Sequence, residues 1–179
     1  MRLITRSDFD GLGCAAILKE VSQIDDIKFV HPKDVQDGII EVTSNDILAN
    51  VPYVKGCGLW FDHHSSEEER KIFGEFKGKC DTKASSAARV IYNYYGGYDG
   101  LKNDRLDEFV SAVDKSDSAL FTKEEILDPD GWVLLSFVMD PRTGLGRYKD
   151  YRISNYALMM DMIDYCREMT DKEILELPD

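Results

Sequence analysis

Four short apolar runs, each cut off by a polar or proline-bearing break, limit the architectures open to this chain. Arg2-Leu3-Ile4-Thr5 reads as a strand and stops at Arg6-Ser7-Asp8-Phe9-Asp10-Gly11. A helix follows, with apolar Ala15, Ile17, Leu18 and Val21 mixed along it. Ile27-Lys28-Phe29-Val30 is a second strand, closed by His31-Pro32, because proline has no N–H to give to a ladder. Ile47–Val51 is a third, stopped by Pro52. Gly58-Leu59-Trp60-Phe61 is a fourth and runs directly into Asp62-His63-His64. Runs of this length, with helical stretches between some of them, predict an α/β fold: a mainly parallel sheet flanked by helices, with a helical C-terminal portion.

The second half is helical in pattern. Ala84, Ala87, Ala88, Ile91 and Tyr95 recur at helical spacing, and Gly96-Gly97 ends that helix. Leu106, Phe109, Val110 and Val113 mark another. Trp132 to Met139 is apolar on nearly every side, which predicts burial. Ile153, Tyr156, Met160 and Ile163 predict a long amphipathic helix whose Tyr and Met residues are core. Asp140-Pro141-Arg142-Thr143-Gly144 is the clearest internal turn. It divides the chain into an α/β unit over 1–140 and a helical extension over 141–179, a size that suits one domain with a small appendage.

The charge balance narrows the partners. A net charge of −12 repels phosphate backbones, which argues against tight binding to duplex DNA. A phosphorylated small molecule or a short oligonucleotide remains compatible, because a bound divalent cation reverses the sign locally. The four cysteines, Cys14, Cys57, Cys80 and Cys166, form no CxxC pair and read as reduced thiols rather than a zinc site. No apolar run is long enough to span a bilayer and the start lacks a signal-peptide pattern, so the expectation is a cytoplasmic protein with no membrane partner.

Two clusters carry chemistry. Asp8 and Asp10 are carboxylates one residue apart in a loop beyond a strand, where open α/β sheets place ligands. Their oxygens suit Mg²⁺ or Mn²⁺, although an Asp at a helix start also serves as a plain N-cap. In Asp62-His63-His64, an imidazole can ligate a metal, the neighbouring carboxylate can fix a tautomer, and the second imidazole can donate to a phosphoryl oxygen. Two of the three histidines of the chain sit here; the third, His31, reads as a loop histidine.

Asp8-Phe9-Asp10-Gly11, Asp62-His63-His64 and the small-residue run Ala84-Ser85-Ser86-Ala87-Ala88, in that order, resemble the DHH phosphoesterase family, which includes RecJ-like exonucleases and exopolyphosphatase-related proteins. The resemblance implies metal-dependent hydrolysis of a phosphoester or phosphoanhydride, in polyphosphate, a short oligonucleotide or a nucleotide. It implies Mn²⁺ or Mg²⁺ held by Asp8, Asp10 and His63, with His64 at the phosphoryl group and Asp62 orienting the histidines. A later metal-binding Asp is expected beyond a helix, where Asp114 is the choice and Asp117 the rival. The bridging Asp of the family falls near the third strand. Asn50 stands at the end of that strand, but Asp46 would take the role if the strand ended near Thr43, and both readings stay open.

Two departures from the family pattern bear on activity. Arg6 stands where many members carry His or Asp, and a guanidinium cannot ligate a cation. Either one metal position is weakened, or Arg6 holds substrate phosphate, and Arg6 and Asn50 are therefore assigned to the substrate. The glycine-rich, His-containing motif of the family's second domain is missing before Asp179, which suggests a truncated or minimal form. These departures motivate an alternative: a catalytically weakened regulatory module that binds a nucleotide or phosphate without turning it over.

Overall fold

The computed structural model describes residues 1–70, 75–140 and 153–178. Strands β1 (Arg2–Arg6), β2 (Asp26–Val30), β3 (Asp46–Ala49), β4 (Leu59–Asp62) and β5 (Gly78–Cys80) form one sheet of order β2-β1-β3-β4-β5, with every neighbouring pair parallel. Around it lie helices α1 (Phe9–Glu20), α2 (Pro32–Gln36), α3 (Ser65–Arg70), α4 (Ala87–Tyr94), α5 (Gly97–Leu101), α6 (Asp104–Asp117), α7 (Lys123–Leu127), α8 (Gly131–Met139), α9 (Asn155–Glu168) and α10 (Asp171–Leu175). The expected α/β class, with a parallel sheet and a helical C-terminal portion, is the one observed. Among the described residues no helix is long and apolar enough to cross a membrane.

Strand alternation sorts the core onto two faces. Leu3, Ile47, Ala49 and Phe61 point to one side and join the larger core with residues of α1, α4, α6, α8 and α9. Ile4, Leu48 and Trp60 point to the other, with Val30 and Val35. Helix α1 is the hub of the larger core. Every residue from Phe9 to Leu18 is buried, and the helix packs on β1, α4, α6 and α9. A helix enclosed on all sides has no polar face, which explains the mixed apolar pattern in its sequence. Two glycines permit the enclosure: a Cβ on Gly11 would run into the Arg6 carbonyl oxygen, and one on Gly13 would lie 2.8 Å from the Ala88 Cβ.

Local chemistry moves several boundaries. β3 ends before Pro52, because Asn50 adopts a left-handed φ of 54° and turns the chain first. β5 is a three-residue edge strand, Gly-Lys-Cys, whose sequence carries no apolar pattern to announce it. The buried face of α9 is Met159, Met162, Ile163 and Cys166, whereas Tyr156 is 54% exposed. The periodicity was right and the phase was shifted. Side chains of α9 and α10 enter the same core as Leu3. The turn expected at Asp140–Gly144, and with it the division at 141, falls from residue 141 onward outside the described residues.

Asp46 opens β3 rather than closing it, aligned with Arg2 at the edge of the sheet opposite the loop of Asp8 and Asp10. That is four residues, roughly 13 Å, from Asn50 along an extended chain. Arg2 Nε and one terminal nitrogen reach its two carboxylate oxygens at 2.8 and 3.0 Å, and the Thr43 N–H donates at 2.6 Å. Burial opposes ionisation of Asp46, but the hydrogen bonds from Arg2 and Thr43 outweigh it and hold the carboxyl below its ordinary value. The stabilisation is present above the ordinary carboxylate value and fades as pH falls through the depressed one. Asp46→Ala should therefore lower unfolding free energy by about 1–3 kcal/mol in denaturant titrations, with Mn²⁺ affinity by calorimetry unchanged. A loss of Mn²⁺ affinity would place Asp46 in the metal site after all.

Candidate metal centre

The site lies where the carboxyl ends of β1 and β4 meet the N-terminus of α4 and the C-terminus of α6. β1 delivers Asp8 as the N-cap of α1, its Oδ1 accepting from the Gly11 N–H at 2.8 Å and from Asn50 Nδ2 at 3.0 Å. Its Oδ2 lies 2.9 Å from Arg6 Nε. Burial pushes the Asp8 carboxyl up, against the opposing pull of the Gly11 N–H and the Arg6 charge.

Asp10 is 2% exposed and faces the first turn of α4. Its Oδ1 accepts from the Ala88 N–H at 2.8 Å and its Oδ2 from the Ala87 N–H at 3.0 Å. A helix N-terminus is a natural seat for a carboxylate, since its first N–H groups have no partner within the helix. Burial, with the charges of Asp117 and Asp8, nevertheless raises Asp10 to about 7.

β4 delivers Asp62, His63 and His64. Asp62 is buried, and its Oδ1 accepts from the His63 N–H at 2.8 Å and lies 2.7 Å from His64 Nδ1. That contact raises the His64 value, against burial. It also leaves Nε2 as the free ring nitrogen of His64. His63 Nδ1 lies 3.4 Å from the Ala84 carbonyl oxygen, a partner that can only accept, so Nδ1 carries a proton and Nε2 is the nitrogen open to a cation once its own proton leaves. Nε2 is buried 3.1 Å from Asp117 Oδ2 and 3.7 Å from Asp10 Oδ2, at ion-pair distances, and meets no hydrogen bond. Burial lowers the His63 value, but Asp117, Asp10 and Asp62 together outweigh it and raise it to about 9.

Asp10, His63 and Asp117 thus form one group whose ligating atoms lie within 4.8 Å of one another, and Asp62, His63 and His64 form a second. The first fits a hard divalent cation on its own terms. Its acidic oxygens and one imidazole are a donor set for Mn²⁺ or Mg²⁺, burial and like charge raise Asp10, the surrounding acids raise His63, and the buried His63 Nε2 meets no hydrogen bond.

Asp114 stands apart from this group. It accepts from Ser86 Oγ at 2.6 Å and from Arg89 Nε at 2.7 Å, tying α6 to the start of α4. Asp117, one turn further along α6, is the acid that reaches His63. Of the other sequence-derived candidates, Asp8, Asp10, Asp62, His63, His64, Asn50 and Arg6 are brought together, and Asp46 is not. A cavity of about 730 Å³ opens over Asp8, Asp10 and Asp117 and continues past Arg6 to Lys28 and His31. Lys28 and His31 were not legible as site residues. His31 precedes a proline as a loop residue does, and only the pairing of β2 beside β1 brings it to this rim.

The chain is similar in fold and sequence to a phosphodiesterase of known structure. That protein is the pGpG-specific phosphodiesterase PggH from Vibrio cholerae, with a TM-score of 0.87 and 50% sequence identity over 99% of this chain and 56% of the other. This chain spans a little over half the length of that relative. No family model matches the sequence, and no curated protein does.

The shifted values predict a pH dependence for the ion-free protein. For a group raised in the folded state, the stability it contributes is complete below its unfolded value and is lost as pH rises through the folded one. For Asp10 that loss runs from 3.8 up to about 7, and for His63 from 6.5 up to about 9. In EDTA, Tm should fall from pH 6 to 9, and Asp117→Asn should flatten the fall by removing a charge that raises both groups. Mn²⁺ at about 100 times its Kd should restore roughly 5–10 °C in the parent chain and little in Asp117→Asn. An unchanged slope and an unchanged Mn²⁺ response in that variant would contradict the cluster.

Proposed function

We propose that this chain is the catalytic part of a DHH-type, divalent-ion-dependent phosphodiesterase that hydrolyses a 5′-phosphorylated dinucleotide of the pGpG kind. The observation that carries the reading is the convergence of Asp10, His63 and Asp117 on one point, with Asp10 and Asp117 open to the cavity. The 50% identity to a pGpG-specific enzyme over nearly the whole chain supports the substrate class. Residues 1–140 supply every proposed site residue, and α9, further along the chain, packs against α1 and α6.

Asp10, His63 and Asp117 would hold Mn²⁺ or Mg²⁺, with Asp8 at the edge of the same site. Such an ion, when bound, neutralises phosphoryl oxygens and lowers the pKa of a water. The chain's own groups do the rest. Asp62 holds His64 Nδ1 and favours the charged form of the imidazole, which leaves Nε2 to donate to the phosphoryl group. Arg6, with Nε on Asp8, offers its terminal N–H groups to a phosphate oxygen. Asn50 fixes the Asp8 carboxylate, and Asp114 positions α4, whose N–H groups hold Asp10. Water adds to phosphorus, the bond from phosphorus to the 3′ oxygen breaks, and that oxygen takes a proton. One pGpG and one water give two GMP.

With Mn²⁺ or Mg²⁺ present, the purified chain should convert pGpG to GMP, followed by chromatography, and should leave polyphosphate and pyrophosphate largely untouched. Asp117→Asn and His63→Ala should each lower kcat by about 100-fold or more, and His64→Ala by about 10²–10⁴. Full turnover in His63→Ala, or release of phosphate from polyphosphate in place of GMP from pGpG, would defeat the reading.

A further inference from the structure

His31, the one histidine left unused above, lines the same cavity as Lys28 and Arg6. The sheet puts them there. Lys28 aligns with Ile4, and Arg6, two residues on from Ile4, points to the same face. With strands about 4.8 Å apart and a rise of about 3.3 Å per residue, the Cα atoms of Lys28 and Arg6 are diagonal neighbours roughly 8 Å apart. His31 follows at the end of β2 and N-caps α2, its Nδ1 accepting from the Lys33 N–H at 3.2 Å. A ring whose Nδ1 accepts carries its proton on Nε2, so His31 is a donor even when neutral. Asp34, which also lines the cavity, can accept only, and suits a base or sugar edge rather than phosphate.

The cavity therefore has two unlike ends. The acid end takes phosphate only with a divalent ion; the Lys28–His31 end takes it directly. Its volume of about 730 Å³ holds more than a single phosphate. We propose that Lys28 and His31, assisted by Arg6, form a second phosphate subsite that binds the terminal 5′-phosphate of the dinucleotide while its internal phosphodiester lies at Asp10, His63 and Asp117. This rests on the hydrolase reading given above, and makes the 5′-phosphate the feature by which substrates are chosen.

The test compares pGpG with GpG, which lacks only that phosphate, in the parent chain and in a Lys28→Gln, His31→Asn double variant. Asn at 31 keeps an N-cap for α2, and both positions are exposed, so the variant should fold. The parent chain should favour pGpG in kcat/KM, and the double variant should lose at least tenfold of that preference, chiefly through KM. A smaller loss, or a parent chain that does not distinguish the two, overturns the subsite. Failure of the parent chain to hydrolyse either compound is instead the failure of the hydrolase reading. Calorimetric Kd values for pGpG and GpG in Ca²⁺ then decide the subsite alone. A tenfold preference for pGpG in the parent chain that is lost in the variant supports it. Equal affinities, or no binding of either, overturn it.

Discussion

A buried carboxylate held by two backbone N–H groups organises this molecule. Asp10 sits in the first turn of α1 and takes its hydrogen bonds from Ala87 and Ala88 in the first turn of α4. A charge in the core costs several kcal/mol unless hydrogen bonds and opposite charge surround it. Two N–H donors and one imidazole are incomplete compensation for an acid that also faces Asp8 and Asp117, which is why its value rises to about 7. The unsatisfied remainder is the electrostatic demand that a divalent ion answers.

The arrangement dictates residue size around it. α1 and α4 must approach closely for a short Asp side chain to span between them, so Gly13 of α1 meets Ala88 of α4 there. The position of α4 is itself held. Ser86 caps the helix and donates to Asp114, and Arg89 pairs with the second oxygen of the same acid. Asp114 and Asp117 therefore divide the work of one helix end: the first locks α4 in place, and the second faces His63. The candidate ligands sit on or next to rigid elements rather than on long loops, the condition under which donor atoms are held in place before an ion arrives.

The parallel sheet and the strand-end positions of Asp8, His63 and His64 were readable in advance, because each follows an apolar run and must emerge at the carboxyl edge of its strand, whereas Asp10, expected in the same loop, lies in the first turn of α1. What was not readable depended on partners distant in sequence. Asp114 and Asp117 lie three residues apart on one helix, and nothing local separates them; Ser86 and Arg89, some 25 residues earlier, do so. Asp46 and Asn50 differ by which end of a four-residue strand they occupy, and Arg2 settles that by pairing with Asp46 at the far edge. The Asn50 left-handed turn set the boundary that proline had suggested. Lys28 and His31 carried no signal of their own, since only sheet order places β2 beside β1.

Anomalous diffraction from crystals soaked in Mn²⁺ tests the central claim most directly. A peak at coordination distance, roughly 2 Å, from Asp10, His63 and Asp117 together is the result the account predicts. Manganese bound through Asp114 or Asp46, or absent from the Asp10 carboxylate at saturating concentration, would contradict it.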